Sequence, residues 1–192
     1  MTTTSPNSQK DLSSAVIMPL NRDLYYAGRW QTPRAGKYVE TINPALGEVI
    51  TSVADANADD VDAAVHAAHE AFVKWRKVKP LERAAMLKEA AARLRAHAGE
   101  LAMLDALNTG NPVAEMVGDA RVAATMLEHF AGLVTEIKGH TIPMGEDNLN
   151  YTVREPFGVV ARIVAYNHPL MFTAMKTGAP LAAGTGNALR VL

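Results

Sequence analysis

The sequence predicts an α/β fold in which several helices precede one strand–helix–strand unit. Three observations predict it. Apolar residues recur at helical spacing between residues 57 and 138. A run of β-branched residues with few charges, GVVARIVAY, then indicates a parallel strand buried on both faces. The segment PLMFTAMKTGAPLAA that follows has a helical pattern, and ALRVL is typical of a second strand, which completes a βαβ unit.

Composition limits the class of protein. The chain has 192 residues, of which 48% are hydrophobic and 20% charged, a balance typical of a globular protein. The net charge of −1, without a long basic run, argues against a nucleic-acid partner. No stretch approaches eighteen uninterrupted apolar residues, so we expect no membrane partner and a cytoplasmic location. The chain contains no cysteine, which excludes disulfides, a thiol nucleophile and thiolate metal sites within it.

The N-terminal part is predicted to contain no large element. Residues 1–20 are rich in Ser and Thr and lack the features of a secretory or mitochondrial leader, so we expect a flexible tail. Residues 21–192 are expected to form one incomplete domain. Its first segments, LYYAGRW and YVETINPALGEVITSV, alternate around Gly and Asn-Pro turn signals, which predicts small edge strands or hairpins.

Three helical stretches follow. Asn57 and Asp60 have the spacing of a capping pair for the first. Its predicted inward face consists of Val61, Val65, Ala68, Phe72 and Trp75. Pro80 is suited to the first turn of the second stretch, in which we expect a break near Gly99. Gly110 is a stop signal, and the third stretch is predicted from about Val113 to Lys138.

The segment before the βαβ unit is predicted to be a strand. LNYTVRE alternates in strand fashion after a loop at Pro143–Asp147, and Pro156 and Gly158 form a corner. Because two parallel strands with one crossover helix cannot cover both faces of a sheet, we expect the α/β architecture to be incomplete.

Five segments together resemble the N-terminal part of the aldehyde dehydrogenase superfamily. They are ETINPALGEVI, DVDAAVHAAHEAFVKW, LERAAMLKEAAARL, LNTGNPVAEM and REPFGVVARIVAYNHPL, and the resemblance as a whole covers roughly Leu24 to Gly184. The most specific is EPFGVVARIVAYNHPL, which resembles the family segment E-P-x-G-V-x-x-x-I-x-x-x-N-x-P. The resemblance implies an NAD(P)-dependent oxidoreductase with a Rossmann-like cofactor domain, a catalytic domain and an oligomerisation hairpin. This chain would hold the helices and the first βαβ of the cofactor domain, with residues 148–156 as the bridging hairpin strand.

The resemblance also implies roles for particular residues. Asn167 would donate its side-chain amide to the oxyanion formed when a small-molecule aldehyde is attacked. An alternative from the pattern alone is that Asn167 caps the helix beginning near Pro169. Lys176 would lie near the active-site water, although a surface lysine is an equal alternative. The residues expected against NAD or NADP are Ile163, Val164, Ala165, Tyr166 and Asn167.

The resemblance places the family's catalytic Cys and Glu beyond residue 192. The family's adenine-ribose Lys is likewise expected just after the second strand. We therefore expect a truncated fragment that is inactive alone and self-associates, from a family of homo-oligomers. A non-catalytic product, or a helical module docking on full-length relatives, is the alternative. The sequence departs from the family pattern at AAGTGNALRVL and at Asn108 and Asn111.

Other polar clusters carry weaker signals. His66 and His69 are spaced i, i+3 without an evident third ligand, so a solvated face is expected and no metal site is predicted. Glu115 and Asp119 share a helix face and are expected to be exposed. His168 follows Asn167 beside a turn, where a structural role is expected.

Overall fold

A computed structural model describes residues 15–191, with side chains for residues 15–186. Residues 1–14 of the predicted tail lie outside the described residues. The α/β class is confirmed, with five helices and eight strands in the described part. The strands are β1 (Leu24–Tyr26), β2 (Arg29–Gln31), β3 (Tyr38–Ile42), β4 (Val49–Ala54), β5 (Thr141–Pro143), β6 (Leu149–Tyr151), β7 (Val159–Val164) and β8 (Gly186–Val191). The helices are α1 (Ala58–Trp75), α2 (Pro80–Ala96), α3 (Ala98–Thr109), α4 (Val113–Gly132) and α5 (Pro169–Ala182).

The predicted N-terminal hairpins are present. Strand β1 pairs antiparallel with β2, and β3 pairs antiparallel with β4. The turn between β3 and β4 is closed by the Gly47 N–H, which donates to the Asn43 carbonyl at 2.9 Å. Val16 and Met18, which the sequence assigns to the tail, pack against a core cluster between α3 and α4.

Local signals set the ends of two helices as predicted. The Asn57 side chain accepts from the Asp60 N–H at 3.0 Å, and the Asp60 carboxylate accepts from the Asn57 N–H at 3.1 Å, a reciprocal capping box. Asp60 is buried, and it also accepts from the backbone N–H of Arg34 at 3.1 Å, which ties α1 to the N-terminal hairpins. Helix α3 ends at Gly110, whose φ of 79° is the left-handed conformation that glycine favours.

Helices α2, α4 and α5 enclose the main hydrophobic core. Its buried members are Ala84, Leu87, Ala91, Ala124, Leu127, Ala131, Val134 and Ala182. Many of these are alanines, which lets the helices approach closely. At Gly178 of α5 the approach is tight enough that a Cβ atom would lie 2.9 Å from the Phe130 ring of α4.

Two of the predicted helical features are wrong. Helix α4 ends at Gly132 and not at Lys138, because the Leu133 N–H donates to the Phe130 carbonyl and tightens the last turn. On α1, Phe72 is buried but Val61 and Val65 are exposed. Only the C-terminal half of that predicted face lies against the sheet, where Phe72 lies close to Gly186 of β8.

The C-terminal half contains a hairpin and the βαβ unit. Strands β5 and β6 pair antiparallel, and all their residues are exposed. Strands β7 and β8 pair in parallel through the α5 crossover, with Val159 opposite Gly186. The prediction that β7 is buried on both faces is wrong: Val164 is buried, whereas Ala161 and Ile163 on the other face are exposed. Within the described residues, the face of β7 that carries Ala161 and Ile163 is therefore left open.

Candidate functional site

The carboxyl end of β7 opens into a cavity of about 390 Å³. Ligands of open α/β sheets bind at such strand ends, and small-molecule sites have volumes of about 300–1,000 Å³. The second half of β7 and one face of α5 form its walls. The lining residues are Ala161, Arg162, Ile163, Val164, Ala165, Phe172 and Lys176.

The structure brings together four of the six residues predicted for the site. Ile163, Val164, Ala165 and Lys176 all line the cavity. Tyr166 and Asn167 follow β7 in an exposed turn and do not line it. The predicted cofactor segment, residues 163–167, therefore runs from the cavity into the turn, and Lys176 reaches the cavity from α5.

Sequence reasoning missed three cavity residues, Ala161, Arg162 and Phe172. Phe172 lies four residues before Lys176 on α5, so helical spacing from Lys176 could have indicated it. The Nε of Arg162 is buried and makes no hydrogen bond with the described residues. Burial lowers the pKa of this guanidinium. A partly desolvated cation in the cavity wall is suited to contact an anionic or polar ligand group.

Asn167 does not cap α5. The N-cap position belongs to His168, and no side chain at that position accepts from the helix. The alternative interpretation of Asn167 as a cap is therefore wrong. The Asn167 side chain is exposed and makes no hydrogen bond with the described residues. Its backbone carbonyl accepts from Nδ2 of Asn111 at 2.8 Å, which anchors the main chain while the side-chain amide stays available.

His168 is held from α4. Its Nδ1 lies 2.6 Å from Oδ2 of Asp119, and its ring meets the edge of Phe172 at 6.1 Å between centroids. The Asp119 side chain is only 15% exposed, so the expectation of an exposed charge is wrong for Asp119, whereas Glu115 is exposed. The reason is tertiary, since the turn after β7 packs over this part of α4.

Asp105 of α3 supplies the acceptor that the start of α5 lacks locally. Its Oδ2 accepts from the backbone N–H of Leu170 at 3.2 Å, across 65 residues of sequence. The first N–H groups of any helix have no partner inside the helix, so an acceptor from elsewhere satisfies one of them. Burial raises the pKa of Asp105 to about 6, and the neighbouring Asp119 carboxylate adds to the rise. Sequence reasoning did not single out Asp105.

The remaining candidates lie away from this turn. His66 and His69 are exposed, and Nδ1 of His66 lies 2.9 Å from the Asp62 carbonyl. Within residues 15–191, no group of three His, Asp or Glu side chains is placed to bind a metal ion. Across the same residues, every helix is too short or too polar to cross a membrane.

The βαβ unit and the site at its strand end are accompanied by a match of the sequence to a known protein family. Residues 30–189 match the model of the aldehyde dehydrogenase family. This chain belongs to the aldehyde dehydrogenase family. The predicted resemblance to its N-terminal part is therefore confirmed, and the exposed β5–β6 hairpin lies where the bridging strand is expected, although its bridging role stays a prediction.

Known proteins give the extent of the likeness. The chain is 51% identical over 170 residues to aldehyde dehydrogenase tropH of Talaromyces stipitatus, covering 87% of this chain but 33% of that protein. It is 40% identical to PnpE of Pseudomonas sp. WBC-3, solved with nicotinamide adenine dinucleotide, with a TM-score of 0.84 over 90% of this chain and 35% of PnpE. An aldehyde dehydrogenase from Bacillus cereus, solved with NAD⁺, is 37% identical with a TM-score of 0.85, over 88% of this chain and 35% of that protein. The chain thus spans about a third of the length of these relatives.

Proposed function

We propose that this chain contributes the oxyanion donor Asn167 and part of an NAD(P) site to the oxidation of an aldehyde to a carboxylic acid. The observation that carries the proposal is the state of Asn167. Its amide is exposed in the turn that follows β7, bonded to no described residue and not used as a cap, while its main chain is anchored by Asn111.

Asn167 acts on charge that develops during the reaction. Attack on an aldehyde converts a neutral carbonyl oxygen into an alkoxide, and a fixed N–H donor stabilises the alkoxide more than the carbonyl. A single donor of this kind contributes about 10²–10³ to kcat. Holding the backbone of the turn keeps the donor in place without using the donor itself.

The residues at the end of β7 fit part of a dinucleotide. The cavity offers an apolar wall from Ile163, Val164 and Phe172, and a cation from Lys176. In this proposal Ile163, Val164, Ala165 and Tyr166 lie against the cofactor on its adenosine-ribose and nicotinamide side, and Lys176 faces the active-site water. When bound, NAD(P)⁺ supplies the hydride acceptor for the oxidation. Its complexes with PnpE and the Bacillus cereus enzyme support the assignment of the cofactor class.

The chain supplies no cysteine nucleophile for the covalent step. None of its 192 residues is cysteine, so no thiolate in it can attack the aldehyde. We infer that the chain does not oxidise aldehydes alone and that the nucleophile and general base come from residues outside it. The cytoplasmic location and the homo-oligomer stay predictions.

A non-catalytic docking module is the second candidate. It is favoured by the large apolar side chains that the described structure leaves exposed after β5, namely Leu149, Val153, Phe157, Ile163 and Tyr166. Exposed apolar surface of this kind marks a contact with further protein. This candidate predicts binding to a full-length relative with no role for the Asn167 side chain.

A chimera tests the first candidate. Residues 30–184 of this chain replace the matching segment of tropH, which provides the remaining two thirds of an aldehyde dehydrogenase. Asn167→Ala in the chimera should lower kcat for aldehyde oxidation by about 10²–10³ with little change in KM. Asn108→Ala, at another exposed asparagine, is the matched control and should leave kcat unchanged. An active chimera that is indifferent to Asn167→Ala would favour the docking module.

A further inference from the structure

The turn after β7 is held at three successive points by three different elements. Asn111, in the loop after α3, donates Nδ2 to the carbonyl of Asn167 at 2.8 Å. Asp119 of α4 lies 2.6 Å from Nδ1 of His168. Asp105 of α3 accepts from the N–H of Leu170 at 3.2 Å. None of these three side chains lines the cavity.

This arrangement leaves the turn with little freedom. The Asn167 carbonyl, the His168 ring and the Leu170 N–H are each held by a residue from outside the turn, whereas the side-chain amide of Asn167 makes no hydrogen bond with the described residues. A donor in an oxyanion site must be held in place before the charge forms, since a displacement of about 1 Å can reduce the rate on the order of a hundredfold.

We propose that Asp105 is a positioning residue for Asn167, acting through the Leu170 N–H together with the Asn111 and Asp119–His168 contacts. This inference rests on the proposed function of Asn167. Asp105 touches neither cavity nor reacting atoms, and its part is to hold the first turn of α5, from which the Asn167 turn extends. Of the three contacts, it is the one made to the helix itself.

Position 105 requires a side chain that is as long as aspartate and carries an oxygen acceptor for the Leu170 N–H. Asp105→Asn keeps an oxygen that can accept from Leu170, whereas Asp105→Ala removes it. Three neighbours face the Asp105 carboxyl. The Leu170 N–H donates to it, and the side chains of Asp119 and His168 interact with it electrostatically. An apolar replacement therefore leaves one part-buried donor of α5 without its acceptor.

The test uses two readouts. In the 192-residue chain, hydrogen–deuterium exchange of the peptide containing residues 165–172 should accelerate in Asp105→Ala and return to normal in Asp105→Asn. In the chimera, Asp105→Ala should lower kcat on the order of tenfold to a hundredfold at unchanged KM, and Asp105→Asn should restore most of it. Glu100→Ala on the same helix, whose side chain pairs only with His97, should change neither readout.

The two proposals fail in different ways. If Asn167→Ala lowers kcat but Asp105→Ala changes neither exchange nor kcat, Asp105 is not a positioning residue and the function of Asn167 stands. If Asp105→Ala changes KM and kcat together and Asp105→Asn does not rescue them, the role of Asp105 is structural only and the inference is wrong. If Asn167→Ala has no effect, the proposed function itself is wrong.

Discussion

The Nε of Arg83 donates to the carbonyl of Ala182 at 3.1 Å and so closes the C-terminal end of α5 from α2. Arg83 is buried, and burial lowers the pKa of its guanidinium. Its Nη1 also donates to the Val78 carbonyl, and Nε1 of Trp75 donates to the Leu181 carbonyl at 3.0 Å. The last carbonyls of a helix have no partner further along it, so Arg83 satisfies the carbonyl of Ala182. Trp75 adds a side-chain donor to the Leu181 carbonyl, which also accepts from the Gly184 N–H at 3.1 Å. Helix α5 is therefore held at both ends by other helices.

Arg83→Met should destabilise the fold. The variant keeps an apolar stem of similar length but leaves the carbonyls of Val78 and Ala182 without their donor, which costs about 2–3 kcal/mol. The control is Arg93→Met on the same helix, whose exposed pair with Glu89 contributes less than about 0.5 kcal/mol. Urea unfolding followed by far-ultraviolet circular dichroism measures both. Equal urea midpoints for the two variants would show that Arg83 does not stabilise the fold by capping α5.

Gly178→Ala should also destabilise the fold, against the usual trend for helices. The new methyl group would lie 2.9 Å from the Phe130 ring and 3.3 Å from Leu127, so α4 and α5 would have to separate. Overpacking of this kind costs about 1–3 kcal/mol.

The matched control for this prediction is Gly118→Ala in α4. Apart from the backbone of α4 itself, no atom of the described residues lies within 4 Å of the added methyl group, so the substitution should stabilise the helix by about 0.5–1 kcal/mol. The same urea titration compares the two. A stabilising Gly178→Ala would show that the helices are not in contact at that point.

The raised pKa of Asp105 predicts a pH dependence of stability. In the folded chain this carboxyl stays protonated up to about pH 6, whereas in the unfolded chain it ionises near its ordinary pKa of about 4. The unfolded state therefore binds fewer protons in this window, and the contribution of Asp105 to stability falls as the pH rises from about 4 to 6. Asp105→Asn cannot ionise and escapes this loss.

The measurement is the difference in unfolding free energy between Asp105→Asn and the unsubstituted chain at pH 4 and pH 7. Between pH 4 and pH 7 this difference in unfolding free energy should change in favour of Asp105→Asn by on the order of 1–2 kcal/mol, after allowance for solvent screening. Asp105→Ala should show the same slope at lower stability, because Leu170 loses its acceptor. A difference that does not change with pH would mean that folding leaves the pKa of Asp105 unchanged.

The chain should associate with itself or expose apolar surface in solution. Phe157 is 95% exposed and Leu149 is 79% exposed, on and after a hairpin that no other described element covers. Size-exclusion chromatography and an apolar-surface dye should report species larger than a monomer and strong dye binding. Leu149→Ser with Phe157→Ser should reduce both, whereas Leu81→Ser, an isolated exposed leucine on α2, should not. A monodisperse monomer without dye binding would contradict this.

The parts of the fold set by local sequence were predictable. The capping box of Asn57 and Asp60 and the stop at Gly110 depend on neighbouring residues, and the order of β7, α5 and β8 follows from a change in apolar period. The contacts that hold the site join residues far apart. Asp105 meets Leu170 across 65 positions and Asp119 meets His168 across 49, so no local pattern distinguishes them from surface acids.

The end of α4 and the open face of β7 were mispredicted for the same physical reason. An apolar stripe indicates which residues can be buried, but burial also needs a neighbouring element. Val134 is buried from a turn after α4 has ended, and Ile163 is exposed because no described element covers that face of the sheet. The site residues came from the family resemblance, and the described geometry adds the anchors of the turn.

The decisive measurement is the rate of NADH formation, compared between the 192-residue chain and the tropH chimera with the same aldehyde and NAD⁺. We expect no NADH from the chain alone, because it has no cysteine, and we expect NADH from the chimera at a rate that Asn167→Ala lowers by about 10²–10³. Sustained NADH formation by the chain alone, or a chimera whose rate is unchanged by Asn167→Ala, would contradict the proposed function.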